Sequence, residues 1–287
     1  MSDTTTGVIH DIGYQRYQGA RLGRAYVVGS LYTHGLRAAF GLGRSAKAKI
    51  FPWFAVGVVG IVAVVLTAIR AQINQAVVSY AEFPEILTLL IIFFCAVIGP
   101  ELVSRDLRTG VLPLYFSRPL RRSDYALAKL AAMVSAVFLL LAGPQLVMFL
   151  GAAFDRGSLS GAWDEFTDFA PAVAYSAIHA LVYGSLAIVI ASLVSRRAIA
   201  AGAIAGVFLV TTPVVGILAV MPSVTANQLA GLASPVTLVG GVGDWVFEKS
   251  GSDYGIGGWG PLYGATAAGL VGLLVLLLLL RYRKVAS

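Results

Sequence analysis

Charged residues are scarce in this chain of 287 residues: they make up 12% of it, whereas 58% of the residues are hydrophobic. A soluble domain usually carries about 25% charged residues, so this shortage excludes an ordinary water-soluble protein. The mean hydropathy of +0.82 agrees with that conclusion. We therefore expect an integral membrane protein.

Cysteine and the common catalytic motifs are also nearly absent. Cys95 is the only cysteine and lies in an apolar run, which excludes an internal disulfide, and no metal-ligand spacing is present. The chain has no G-x-x-x-x-G-K-[ST] motif to hold ATP phosphates. It also lacks H-E-x-x-H and any pair of aspartates within an apolar run, which argues against an intramembrane hydrolase. We expect no catalytic residue, metal or cofactor in this chain.

Six apolar stretches are long enough for membrane-spanning helices, which need about 20 residues each. They cover roughly residues 51–69, 84–100, 126–153, 170–194, 198–220 and 261–280. The prediction is an all-α integral membrane fold in a single domain over 1–287. Its parts are a tail and N-terminal helix over 1–50, a six-helix bundle over 51–280, and a tail over 281–287.

Lysines and arginines are distributed unevenly among the loops. All but three of the 21, namely Arg70, Arg156 and Lys249, fall near the two termini or in the loops after the second and fourth spans. Most acidic residues lie in the remaining loops. The positive-inside rule then places both termini in the cytoplasm. Because orientation explains the excess of positive charge, we expect no binding of nucleic acid.

Residues 26–46, ahead of the first span, have the pattern of an amphipathic helix that lies in the cytoplasmic membrane interface. The apolar residues that recur at helical spacing are Val28, Leu31, Tyr32, Leu36, Ala39 and Phe40. Several glycines within this stretch disfavour a helix. The alternative is a disordered basic tail.

The loop between the second and third spans contains an uncharged element, "VLPLYF" (Val111 to Phe116), with arginines on both sides. Glu101 to Leu107 should continue the second span, Gly110 should end or turn that helix, and Ser123 should cap the third span. An apolar element outside the membrane must be covered. The lipid interface, the protein's own helices and another protein are all candidates.

This loop resembles the corresponding loop of the type-2 ABC exporter permeases. The shared pattern runs through Glu101, Arg105, Asp106, Gly110, Ser117, Arg118, Pro119, Ser123, Tyr125 and Lys129. Val111 and Pro113 depart from the usual residues of the family. The layout is similar too, with an N-terminal amphipathic helix, six spans and a long last external loop over residues 221–260. In that loop the resemblance implies short re-entrant helices that form an external gate; the alternative is a flexible loop.

The resemblance implies a permease subunit of an ATP-driven exporter in a bacterial cell membrane. In that family the loop is a coupling helix that docks on a separate ATP-binding subunit, which holds ATP and Mg²⁺. A second permease, identical or homologous, would complete the transport path, with lipid around the pair. The predicted coupling residues are Glu101, Arg105, Asp106, Gly110, Val111, Leu112, Leu114, Tyr115, Phe116 and Arg118.

Spans 1, 2 and 5 of the family face the partner permease, so Phe208, Thr211 and Thr212 in the fifth span are predicted to contact substrate. His179 is a further candidate, because it is the one ionisable side chain deep within a predicted span. The alternative for His179 is a structural hydrogen bond to a neighbouring helix. A secondary carrier or channel, or a membrane scaffold without an ATPase, is the alternative for the whole protein.

Overall fold

A computed structural model of the chain describes Gly19 and residues 22–73, 75–117, 120–248 and 255–284. Over these residues the regular structure is helical and contains no strand, as predicted. Within this described part of the chain, six helices are long and apolar enough to cross a membrane, which confirms the predicted six spans. In chain order the helices are α1 (Arg24–Ala39), α2 (Ala46–Ile73), α3 (Phe83–Ile86), α4 (Thr88–Leu102), α5 (Ser104–Thr109), α6 (Leu112–Phe116), α7 (Arg122–Arg156), α8 (Leu159–Leu193), α9 (Arg197–Ala219), α10 (Val224–Leu229), α11 (Pro235–Val246) and α12 (Gly260–Lys284).

The fourth span, α8, lies at the centre of the bundle. It packs against α7, α4, α9 and α12, and most of its surface is buried. Small residues permit this packing: at Gly184 an added Cβ would lie only 3.1 Å from a methyl carbon of Val134. By contrast, α2, α9 and α12 leave most of their apolar surface uncovered. That surface is available to lipid or to another protein.

The second and fourth spans begin at other residues than predicted. The second begins at Thr88 rather than near residue 84, because the chain breaks at Leu87 after the short helix α3. It then continues through α5 to Thr109. The helix α8 begins at Leu159 rather than near residue 170. Hydropathy could not locate this start, because the first turns of α8 carry acidic residues and extend the helix beyond its apolar part.

The helix α1 ends at Ala39, earlier than the predicted residue 46. Gly41 and Gly43, with φ of +67° and +76°, occupy the left-handed region that favours glycine and stop the helix. The predicted apolar stripe faces the bundle and packs against α7 and α4. At Gly35 the two helices are so close that a Cβ would lie 2.9 Å from the Cβ of Ala132. Residues 24–39 are therefore helical rather than a disordered tail.

The long loop before the last span is also helical over its described part. It contains α10, a 3-10 helix over Ala230–Ala233, and α11, and the two arms are bent by 117° relative to each other at Ser234. The Ser234 side chain caps α11 by accepting a bond from the Val236 amide. The ring of Tyr263 packs against Gly231, and its hydroxyl donates to the Gln228 carbonyl at 2.8 Å. These contacts make residues 224–246 a folded element instead of a flexible loop.

Candidate functional site

The end of the bundle that carries α1, α5, α6 and the last turn of α12 is called the basic end here. The opposite end, where α2 finishes and α8 starts, is called the acidic end. At the basic end α5 stops at Gly110, which adopts φ of +65°, as predicted. In the short helix α6 that follows, Leu112 is buried and Tyr115 and Phe116 are half-buried, but Leu114 is 70% exposed. The bundle therefore covers one face of the apolar element and leaves the other open.

Tyr125, a fully buried residue of α7, holds α6 in place. Its ring centroid lies 5.6 Å from that of Tyr115 and 6.1 Å from that of Phe116. On its other side it lies 5.1 Å from the ring of Tyr282 in α12. This aromatic cluster of four rings joins α6 to the third and sixth spans.

Asp106 connects the second span to the same cluster. Its carboxylate accepts a hydrogen bond from the Tyr125 hydroxyl at 2.7 Å and pairs with Lys129 Nζ at 2.8 Å. Lys129 is buried and lies 5.4 Å from the centre of the Tyr125 ring. Charge-assisted bonds of this kind are stronger than neutral ones. Tyr125 therefore contacts Asp106 of α5 as well as Tyr115 and Phe116 of α6.

Glu101 forms a second junction at the basic end. It pairs with Arg44, which precedes the first span, and with Arg197 Nη1 at 2.9 Å, at the start of the fifth span. Arg105, four residues further along the helix, is more distant at 3.5 Å. Of these two predicted coupling residues, Glu101 thus links the second span to the start of the fifth, whereas Arg105 pairs with Glu101 within the second span. The predicted coupling residue Arg118 lies outside the described residues.

The start of α7 differs from the prediction that Ser123 caps the helix. The helix begins two residues earlier, with Arg121 in the capping position. Asp124, at the third helical position, reaches back to accept a bond from the Arg121 amide at 3.1 Å, as the carboxylate at that position does in a capping box. Asp124 also accepts two bonds from Arg24 of α1, at 2.6 and 2.5 Å. These bonds raise the pKa of Arg24.

His179 and Phe208, both predicted to contact substrate, belong to one row of packed rings. His179 lies between Tyr175 and Tyr183, with ring centroids 4.5 and 5.7 Å away. Tyr183 then stacks on Phe208 of α9 at 4.7 Å. His179 Nδ1 also lies 3.2 Å from the Tyr175 carbonyl oxygen, within its own helix. These rings are buried, so in this conformation the row is part of the helix packing between α8 and α9.

The two predicted threonines of α9 are placed differently. Thr211 donates to Ser234 Oγ at 3.0 Å and so ties the fifth span to the bend between α10 and α11. Thr212 is exposed and donates to the Phe208 carbonyl at 3.0 Å. Thr212 is therefore the predicted path residue that lies on an open surface of α9.

A buried charge cluster at the acidic end is a feature that the sequence pattern did not single out. Glu165 of α8, only 2% exposed, pairs with Arg70 of α2 and with Arg156 of α7 at 2.9 Å. The Tyr80 hydroxyl donates to the same carboxylate at 3.1 Å. Burial and the charge of Glu165 raise the pKa of Tyr80, so Tyr80 remains a proton donor. The sequence contains one indication of this cluster: the distribution of charged residues assigns Arg70, Arg156 and Glu165 to the same end of the bundle.

Comparison with known families gives one match. The model of a family described as "ABC-2 family transporter protein" matches residues 54–281. The matched segment runs from within α2 to within α12 and includes α6, Asp106 and Tyr125. No curated protein matches the chain.

Proposed function

Because the chain belongs to the ABC-2 family of transporter proteins, we propose that it is the permease subunit of an ATP-driven exporter in a bacterial cell membrane. Membership makes it a multi-pass membrane permease subunit of an ABC transporter, which works with an ATP-binding subunit instead of acting as an enzyme itself. Beyond family membership, we propose three things: that the protein exports its substrate, that it lies in a bacterial cell membrane, and that both termini are cytoplasmic. The last of these rests on the arginines gathered at the basic end.

The exposed face of α6 is the observation that carries the proposal. Leu114 projects from a short helix whose other face is fixed to α7 and α12 by the aromatic cluster. An exposed apolar side chain on a firmly held element suits a docking contact, because little conformational entropy is lost on binding. In the proposed complex the ATPase, with its ATP and Mg²⁺, binds this face. Its movement on ATP binding then displaces α6 and the spans attached to it.

The uncovered surfaces of α2 and α9 support a second proposed contact. Both helices are apolar and mostly unburied, and α9 carries the exposed Thr212. We propose that a second permease, identical or homologous, packs here and that the substrate path runs between the two. Lipid would cover the remaining outer surface.

The docking proposal is tested with Leu114→Asp in a tagged chain purified from its native membrane in mild detergent. Mass spectrometry first identifies a subunit with a P-loop among the co-purifying proteins. The charge should then weaken binding of that subunit about 30-fold, equivalent to the ~2 kcal/mol of a central interface residue, and so lower the amount that co-purifies. Because Leu114 is exposed, the amount of permease in the membrane should not change.

Leu159→Asp is the matched control, since Leu159 is 93% exposed but lies at the acidic end. It should retain the ATPase. Equal recovery of the ATPase with both variants would refute docking at α6. A preparation that never contains a P-loop subunit, across several mild detergents, would favour a carrier or a scaffold instead.

A further inference from the structure

A small cavity at the basic end has arginines as half of its lining residues. Its volume is about 240 Å³, and it lies where the second span leaves the bundle and the chain turns from α8 into α9. Residues of three separate stretches of the chain reach it, around residues 44, 100–108 and 195–197. The charged and hydroxyl side chains that matter here are Arg44, Glu101, Arg105, Arg108, Ser195 and Arg197.

The charges in this cavity do not balance. Glu101 is its single carboxylate, and it pairs with Arg44, Arg197 and, at 3.5 Å, Arg105. Arg108 makes no ion pair within the described residues. The next acid along the chain, Asp106, is engaged with Lys129. Four guanidinium groups around one carboxylate leave a formal surplus of three positive charges, and such a group of arginines matches the oxygens of a phosphate.

The position of the cavity selects among phosphate-bearing ligands. It lies level with the ends of three apolar helices: α4 ends at Leu102, α8 at Leu193, and α9 begins at Arg197. These ends mark the height at which lipid headgroups begin. Leu193 and Ile199, each within four residues of Ser195 along the chain, are 61% and 54% exposed. An arginine-lined cavity beside outward-facing apolar side chains fits a molecule with both a phosphate and acyl chains.

We propose that this cavity binds the headgroup phosphate of an anionic phospholipid. One lipid would neutralise part of the arginine surplus and contact both the second and fifth spans. The site is distinct from the α6 face proposed for ATPase docking, because α6 does not line it, although the predicted coupling residues Glu101 and Arg105 do. The orientation proposed above would place the lipid in the cytoplasmic leaflet.

The test is native mass spectrometry of the purified full chain, exchanged into detergent with equal amounts of phosphatidylglycerol and phosphatidylcholine. Retention of phosphatidylglycerol in preference to phosphatidylcholine is expected for the wild type. Arg108→Gln should lower the affinity for phosphatidylglycerol about fivefold, the effect of one basic residue near a lipid surface. Its exposed side chain makes this variant safe for folding.

Arg37→Gln is the matched control, because Arg37 is an exposed arginine on the outer face of α1 and does not line the cavity. It should leave the retention unchanged. Equal loss in the two variants would show only general attraction to positive charge and would overturn the site. Equal retention of both lipids, or displacement of phosphatidylglycerol by millimolar inorganic phosphate, would overturn the assignment to a lipid.

Discussion

Replacing Glu165 by glutamine should destabilise the bundle at the acidic end. The carboxylate is buried and holds two arginines and one tyrosine from separate parts of the chain. Glutamine has nearly the same shape but no charge. Arg70 and Arg156 would then face each other without the anion between them.

The size of the effect follows from burial. Removing one partner of a buried ion pair costs about 3–5 kcal/mol. Arg156 is 54% exposed, so water screens part of its charge and lowers the cost of leaving it unpaired. We expect a loss of about 2–3 kcal/mol, which corresponds to a fall of roughly 4–12 °C in Tm at about 2–4 °C per kcal/mol.

The measurement is thermal unfolding of the purified protein in detergent, at one fixed scan rate because membrane proteins often unfold irreversibly. Asp164→Asn is the control, since it removes a neighbouring charge that is exposed, and it should cost less than about 0.5 kcal/mol. Adding Arg70→Gln to Glu165→Gln should restore part of the stability by removing one uncompensated charge. If the double variant is no more stable than Glu165→Gln, the explanation by an unpaired buried arginine is wrong.

Two further predictions concern the packing of α7, and both are measured as shifts in Tm in the same assay. Gly35→Leu should cost about 1–3 kcal/mol, because the new side chain would collide with Ala132. Gly29→Leu, in the same helix with open space around it, should instead gain up to about 1 kcal/mol in helix propensity; similar losses in both would refute the close approach. Tyr125→Phe should lose about 1.5–3 kcal/mol, because it deletes a bond to the charged Asp106 and keeps the ring; an unchanged Tm would mean that this bond adds nothing.

The features that depend on local sequence could be predicted, and those that depend on distant pairing could not. The six spans follow from hydropathy, since each apolar stretch must leave water by itself. The end of α5 follows from Gly110, whose backbone conformation is a local property. The contact between Arg70 and Glu165 joins residues 95 positions apart, and no periodicity encodes such a pair. Charge counting could assign both to one end but could not bring them together.

The same distinction explains why the arrangement of α6 could be predicted only in part. The sequence indicates an apolar element that must be covered, but it cannot show which of the side chains turn inward. That choice depends on Tyr125 of α7, which packs against Phe116 on one side and against Tyr282 of α12 on the other. The consequence is practical: Leu114 remains available for an external contact, whereas Phe116 is committed to the bundle. A charge at Phe116 would damage the fold and could not test docking alone.

The two junctions at the basic end determine how far a displacement of α6 would spread. Through Tyr125 and Asp106 the helix is joined to the second, third and sixth spans. Glu101, one turn earlier in the second span, extends the connection to the first and fifth spans through Arg44 and Arg197. The fourth span joins through Ser104, whose hydroxyl donates to the Ala191 carbonyl at 2.9 Å. Because the second span takes part in the links to the first, fourth and fifth spans, we infer that a force applied at α6 reaches the fifth span through α4 and α5.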